Sequence, residues 1–167
     1  MDTEAPPAAL LADFKASMRR LAATVTIITT REGDTRFGMA ATAVNSVTTT
    51  PPTLLICINQ SASIHAPLLA SGLFCVNVLG LEHLGLVPLF SGKLVGEDRF
   101  GHGAWTEGFA GLPRLGDAQA TLGCSVVSAT ACGSHTVVIG EVREVALSGE
   151  PRPLLYQEGG FHKTVPV

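Results

Sequence analysis

Thr42, Asn45 and Ser46 stand in the run Gly38-Met39-Ala40-Ala41-Thr42-Ala43-Val44-Asn45-Ser46-Val47, which is dominated by small and hydroxyl-bearing side chains. Small side chains let a strand backbone lie close to a flat ligand, and the three polar groups supply a few directed hydrogen bonds. A planar, polar-edged heterocycle suits such a wall. After a Pro51-Pro52 corner, Asn59-Gln60-Ser61-Ala62-Ser63 ends one strand and starts a helix, where backbone N–H groups can hold a phosphate. Phe90-Ser91-Gly92-Lys93 and Asp98-Arg99-Phe100 add two aromatics and two cations within one glycine-rich stretch.

Other chemistries lack their signatures. No Gly-x-Gly-x-x-Gly follows a strand, no Walker A loop is present, and no Gly-x-Ser-x-Gly elbow exists. The five histidines never pair at metal-ligand spacing, so no metal is expected. Cys132 and His135 are three residues apart, but a turn through Gly133 explains that spacing better than a nucleophile pair does. His135 is either a surface imidazole or a donor at the mouth of a ligand site.

The elements that must position these residues read as mainly β. Leu10 or Leu11, Phe14, Met18 and Leu21 predict an amphipathic helix over 8–22, behind a disordered lead of residues 1–7. Thr24–Thr30 is a strand, turned at 31–34 onto a partner running from Phe37 to Thr48. Thr53–Asn59 is a third strand. Ser61–Ser71 reads as a short helix capped by Ser61 or Ser63 and stopped at Gly72. Phe74–Leu79 is a strand, Leu81–Phe90 helical, and 91–116 a loop. Two long strands, 117–131 and 134–147, precede a last one at Leu154–Gln157. Six or so antiparallel strands with one helix and small helical inserts predict one β-barrel domain over 8–167.

Charged residues are only 15% of the chain, and the mean hydropathy is +0.35. No apolar run reaches the ~20 residues of a membrane span. A soluble chain with so little charged surface is expected to cover part of itself with a second copy, as a homodimer. The net charge of −3 gives no footprint for nucleic acid. Four cysteines without Cys-x-x-Cys spacing, and an acidic N-terminus without signal-peptide character, point to a reducing, cytoplasmic setting.

From about Phe14 to Phe161 the chain resembles the flavin reductase family with the FMN-binding split-barrel fold, the small partners of two-component flavin monooxygenases. The markers, in order, are Ala23-Thr24-Val25-Thr26-Ile27-Ile28-Thr29-Thr30, Gly38–Val47, Pro51-Pro52, Cys57-Ile58-Asn59, Phe74–Leu79, Asp98-Arg99-Phe100, Gly133-Ser134-His135 and Tyr156-Gln157-Glu158-Gly159-Gly160-Phe161. The chain also resembles reductase components serving aromatic hydroxylases, such as 4-hydroxyphenylacetate 3-monooxygenase.

The resemblance implies a six-stranded Greek-key barrel, homodimeric, that reduces free FMN or FAD with NADH or NADPH for a separate oxygenase. It implies an isoalloxazine ring against Met39–Val47, with Cys57, Ile58 and Asn59 beside it. Ser61, Ser63, Phe90, Ser91, Lys93, Arg99 and Phe100 would serve the ribityl and phosphate end. His135, as the catalytic-site donor, would position nicotinamide together with Tyr156, Gln157, Glu158, Gly159 and Phe161. Two positions depart from the family pattern: Ser134 replaces the acidic residue often found before the histidine, and 157–160 lacks a basic residue. The alternatives are a split-barrel reductase with another acceptor such as a cobalamin precursor, a flavin-binding module without activity, and a pyridoxamine-phosphate-oxidase-like protein.

Overall fold

The computed structural model of the chain describes residues 6–167. The expected lead, residues 1–7, lies outside the described residues except for Pro6 and Pro7. Helix α1 (Ala8–Arg19) is followed by β1 (Ala23–Thr24), β2 (Thr26–Glu32), β3 (Thr35–Ala41), β4 (Val44–Thr49) and β5 (Pro52–Asn59). Helix α2 (His65–Ser71) leads into β6 (Leu73–Val78). Three helical turns, Leu81–Leu86, Leu89–Lys93 and Gly96–Gly101, then precede β7 (Trp105–Glu107) and β8 (Pro113–Leu115). The hairpin of β9 (Ala120–Cys132) and β10 (His135–Leu147) is the longest in the chain, and β11 (Leu155–Gln157) and β12 (Gly160–His162) close it.

One sheet in the order β3-β2-β6-β9-β10-β5-β4, antiparallel throughout, forms the body. Its two edge strands, β3 and β4, are consecutive in sequence. Thr42 and Ala43 alone join them, so the sheet curls until its edges meet at that corner. There the Cys57 amide donates to the Ala43 carbonyl (3.2 Å) and Thr26 Oγ1 to the Ala41 carbonyl (2.7 Å). The expected mainly-β, antiparallel split barrel is borne out, with one correction. The strand expected over Phe37–Thr48 is two strands, because the chain bends at Thr42–Ala43 and β4 pairs with β5 instead of β2.

Ile28, Ile56, Ile58, Phe74, Val76 and Val138 fill the barrel. A second core lies outside it, where Val25, Ile27, Leu79, Leu86, Phe90, Phe100, Leu115 and Leu154 pack together. Alternation along β2 sends Ile27 to one core and Ile28 to the other, which is why the strand is buried on both faces. Each fully buried isoleucine contributes about 1.5–3 kcal/mol. Asn77, wholly buried, ties the second core down: its Nδ2 donates to the Ile27 carbonyl (2.9 Å) and its Oδ1 accepts from the Leu115 amide (2.8 Å).

Helix α1 differs from expectation in its surroundings. It buries none of its residues, and Leu10 (59% exposed), Phe14 (59%) and Met18 (48%) present an apolar stripe outward. The helix expected from Ser61 begins only at His65. Asn59 Oδ1 takes both the Ser61 amide (2.9 Å) and the Ser61 hydroxyl (2.8 Å), making a polar turn where a cap was expected. Gly72 does stop the helix, in the left-handed conformation (φ 67°). The loop expected over 91–116 carries β7, β8 and the turn at Gly96–Gly101.

Candidate functional site

The Thr42–Ala43 corner opens onto two clefts. The first, of about 820 Å³, lies between Ala40, Ala41 and Thr42 on one side and Leu84, Val87, Pro88 and Ser91 on the other. Val25 forms part of its wall, and Tyr156, Gly159 and Phe161 close it. The second, of about 830 Å³, runs between the end of α1 (Met18, Arg19, Leu21) and the strip Thr42, Ala43, Val44 and Asn45. Thr42 and Tyr156 border both. Each volume falls within the roughly 300–1,000 Å³ of small-molecule sites.

The backbone makes the small-residue wall possible. Gly38 sits under two rings: a Cβ there would come 2.7 Å from Phe90 Cε1 and 3.3 Å from Phe100 Cζ. Its absence lets β3 lie flat beneath the 89–101 segment. Arg99 holds that segment down, donating Nη1 to the Gly38 carbonyl and Nε to the Leu94 carbonyl (2.9 Å). Glu97 accepts from the Arg36 amide (2.6 Å) and guanidinium (2.8 and 2.6 Å), while Arg36 Cζ stands 4.6 Å from the Phe100 ring centre. The Arg36 hydrogen bond holds the Glu97 carboxyl below its ordinary value.

The far wall is built by the C-terminal hairpin. Glu158 (φ 52°) and Gly159 (φ 83°) form the two-residue left-handed turn between β11 and β12. That turn sets the Tyr156 and Phe161 rings 5.4 Å apart, centre to centre. The Glu158 amide donates to the Arg19 carbonyl (2.9 Å) and Gln157 Nε2 to the Arg20 carbonyl (2.8 Å), fastening the hairpin to the end of α1.

Of the residues singled out from sequence, Ala40, Ala41, Thr42, Ser91, Tyr156, Gly159 and Phe161 therefore meet in one cleft. Thr42, Ala43, Asn45, Tyr156 and Gln157 meet in the other. The remaining ones stand elsewhere, for identifiable reasons. Met39 packs against the barrel core and the Ile58 side chain lies inside it. Phe90 and Phe100 are buried against Trp105 at 5.4 and 5.0 Å, so they brace the segment and offer no ring face to a ligand. Arg99 gives Nε and Nη1 to carbonyls, and Lys93 is exposed. Ser46 and Val47 lie exposed on the edge strand β4, and Glu158 serves the turn.

The amides of Gln60, Ser61 and Ala62 are likewise engaged, with the Ser134 carbonyl, Asn59 Oδ1 and the Asn59 carbonyl. Three donors of the expected phosphate cradle at 59–63 thus have internal partners, while the Ser63 amide and hydroxyl have none among the described residues. His135 pairs with Asn59 and Cys132 at the open end of β10, accepts or donates at Nδ1 with Ser134 Oγ (2.9 Å), and lines neither cleft. Cys57 and Asn59 share that outward face of β5 with it. Sequence reasoning missed Leu84, Val87 and Pro88. Their spacing of three and four marks one helical face, but the Leu81–Phe90 run reads only as a helix, with no ligand-facing side assigned to it.

Against known proteins, residues 18–164 match the family model described as "Flavin reductase like domain". The chain is 42% identical over 163 residues to the FMN reductase (NADH) RutF of Variovorax paradoxus, covering 98% of this chain and 91% of that protein. It is 41% identical over 157 residues to the reductase component of the FADH(2)-dependent resorcinol hydroxylase of a Rhizobium species, covering 93% and 88%. The solved NADH:FAD oxidoreductase SgcE6 of Streptomyces globisporus, in complex with NAD and FAD fragments, superposes with a TM-score of 0.87 at 27% identity over 98% of each chain. The chain belongs to the flavin reductase family.

Proposed function

We propose that this protein is a flavin reductase that oxidises NADH, reduces free FMN or FAD, and passes the reduced flavin to a separate oxygenase. One observation carries the reading: the Ala40–Thr42 wall and the Tyr156–Phe161 pair face a single cleft large enough for a tricyclic ring. A bound flavin supplies the electron-accepting ring for a hydride from nicotinamide. The chain's own work is to bind, orient and keep water away.

Ala40 and Ala41 leave the strand backbone open to close approach, the Thr42 hydroxyl is a donor at the ring's polar edge, and the Asn45 amide stands in the adjoining cleft that Thr42 also borders. Val25, Leu84, Val87 and Pro88 make the cavity apolar, which strengthens those few hydrogen bonds. Tyr156 and Phe161 offer aromatic surface to a stacked ring. His135, with Asn59 and Cys57 beside it, is the candidate donor to nicotinamide, and its alanine variant tests that role: NADH use falls while flavin binding survives.

NADH is the favoured donor, in keeping with the FMN reductase (NADH) to which the chain is 42% identical. A homodimer is the working form. The outward stripe of Leu10, Phe14 and Met18 on α1 is a surface for a second copy to cover. Unpaired thiols at all four cysteines fit a cytoplasmic setting, and among the described residues no helix is long and apolar enough to cross a membrane. The test is turnover: NADH is oxidised only when FMN or FAD is added, more slowly with NADPH, and the product reduces oxygen or feeds an oxygenase. Tight flavin binding without NADH oxidation would overturn the reading.

A further inference from the structure

His83 is buried (4% exposed) one residue from Leu84, yet the reading of the site gives it no task. It and Gly80 exchange two hydrogen bonds: the His83 amide donates to the Gly80 carbonyl (3.0 Å), and the Gly80 amide donates to His83 Nδ1 (2.9 Å). The first is the ordinary backbone bond of a tight helical turn; the second is the half of a capping box in which a side chain returns to the amide three residues before it, here an imidazole in place of the usual carboxylate. Because Nδ1 accepts, the proton of a neutral ring is on Nε2. That Nε2 is buried without a hydrogen-bond partner. Asp117 Oδ1 lies 3.2 Å away but too obliquely for a formed bond, so the contact is an electrostatic tether to a carboxylate that is itself 57% exposed.

Gly80 is the corner at which β6 turns into the Leu81–Leu86 helical turn, and it bridges to Pro153 beside the C-terminal segment. The Glu82 and Gln119 side-chain ends lie over Gly80 where a Cβ would stand. From the corner hang Leu84, Val87 and Pro88, the cleft wall that faces Ala40–Thr42.

We propose that His83 is a positioning residue for flavin reduction: its imidazole, clasped by Gly80 and steered by Asp117, sets the spacing between the Leu84–Pro88 wall and the Ala40–Thr42 strand. The role rests on the flavin-reductase reading of the cleft. Wall spacing governs how tightly a flat ring is held, so a fault there raises KM for flavin and leaves kcat nearly untouched. An asparagine at this position keeps an acceptor where Nδ1 stands, whereas leucine keeps only bulk.

The experiment compares steady-state FMN reduction by wild type, His83→Leu, His83→Asn and Asp117→Asn. His83→Leu is expected to raise KM for FMN about tenfold with kcat within about twofold, and His83→Asn to return KM most of the way. Asp117→Asn, at a half-exposed carboxylate, raises KM about two- to threefold. Nitrogen NMR of wild type is expected to show the Nε2–H tautomer of His83, with a resonance that moves when FMN is added. An unchanged KM in His83→Leu, no rescue by His83→Asn, or an Nδ1–H tautomer overturns the assignment. Should His83→Leu fail to fold, the wild-type tautomer and its response to FMN decide alone. A wild type that cannot oxidise NADH with any flavin sinks the reading of the cleft instead, a result separate from these.

Discussion

Tyr156 and Phe161 stand on either side of the Glu158–Gly159 turn with ring centres 5.4 Å apart, and both stay partly exposed, at 39% and 44%. Aromatic pairs within one domain ordinarily bury themselves. This pair instead lines the cleft that Ala40, Ala41 and Thr42 also line.

Tyr156→Ala removes one ring of the pair from the border of both clefts. The expected outcome is an increase of about tenfold in KM for NADH or flavin, with the fold intact, because a stacked aromatic contributes about 0.5–1.5 kcal/mol beyond its area. Steady-state kinetics with each substrate varied in turn checks this. Wild-type values for both would remove the tail from the site.

Thr42→Phe tests the strand wall. Thr42 is exposed at the corner joining β3 and β4, so a ring there costs the core nothing while filling both clefts. FMN affinity is expected to fall about tenfold or more with little change in melting temperature. Unaltered FMN binding by calorimetry would show that the ligand lies elsewhere.

The Arg36–Glu97 latch makes a pH-dependent contribution. Arg36 holds the Glu97 carboxyl below its ordinary value of 4.5 in the folded protein. A depressed folded value means stability that is present above the ordinary value and lost as pH falls through the depressed one. Glu97 is 45% exposed, so the pair is worth less than about 1 kcal/mol. In urea unfolding, Glu97→Gln should be slightly less stable than wild type at neutral pH and indistinguishable from it in strong acid. A gap that persists in acid would assign the effect to packing.

Thiol reactivity should divide the four cysteines. Burial pushes Cys75 and Cys124 up to about 12, so neither carries thiolate at mildly alkaline pH. Cys132 is exposed at the β9–β10 hairpin end and Cys57 half-buried. Alkylation followed by peptide mass mapping should modify Cys132 first and spare Cys75 and Cys124 until denaturant is added. Native labelling of the latter pair would contradict the packing of β6 against β9.

The strands were legible where side-chain type and burial agree. Thr24–Thr30 is β-branched and sits between two cores, and the long 117–147 hairpin announced itself at Gly133. The break at Thr42–Ala43 was not legible, because alanine and threonine read alike in a strand and at a bend. Ser61 looked like a helix cap, but Asn59 two residues earlier takes its amide first. Phe90, Arg99 and Phe100 looked like a ligand-facing set. Trp105, a residue that carried no pattern of its own, folds back over the rings, and the Gly38 carbonyl claims the guanidinium. Types of residue were visible in the chain, whereas the competition among them for partners is settled only in three dimensions.

The most direct test mixes the purified protein with NADH and FMN and follows nicotinamide absorbance alongside flavin bleaching in the absence of oxygen. One FMN reduced for each NADH consumed, with no consumption when flavin is omitted, is the expected result. NADH that persists in the presence of both protein and flavin would contradict the account at its centre.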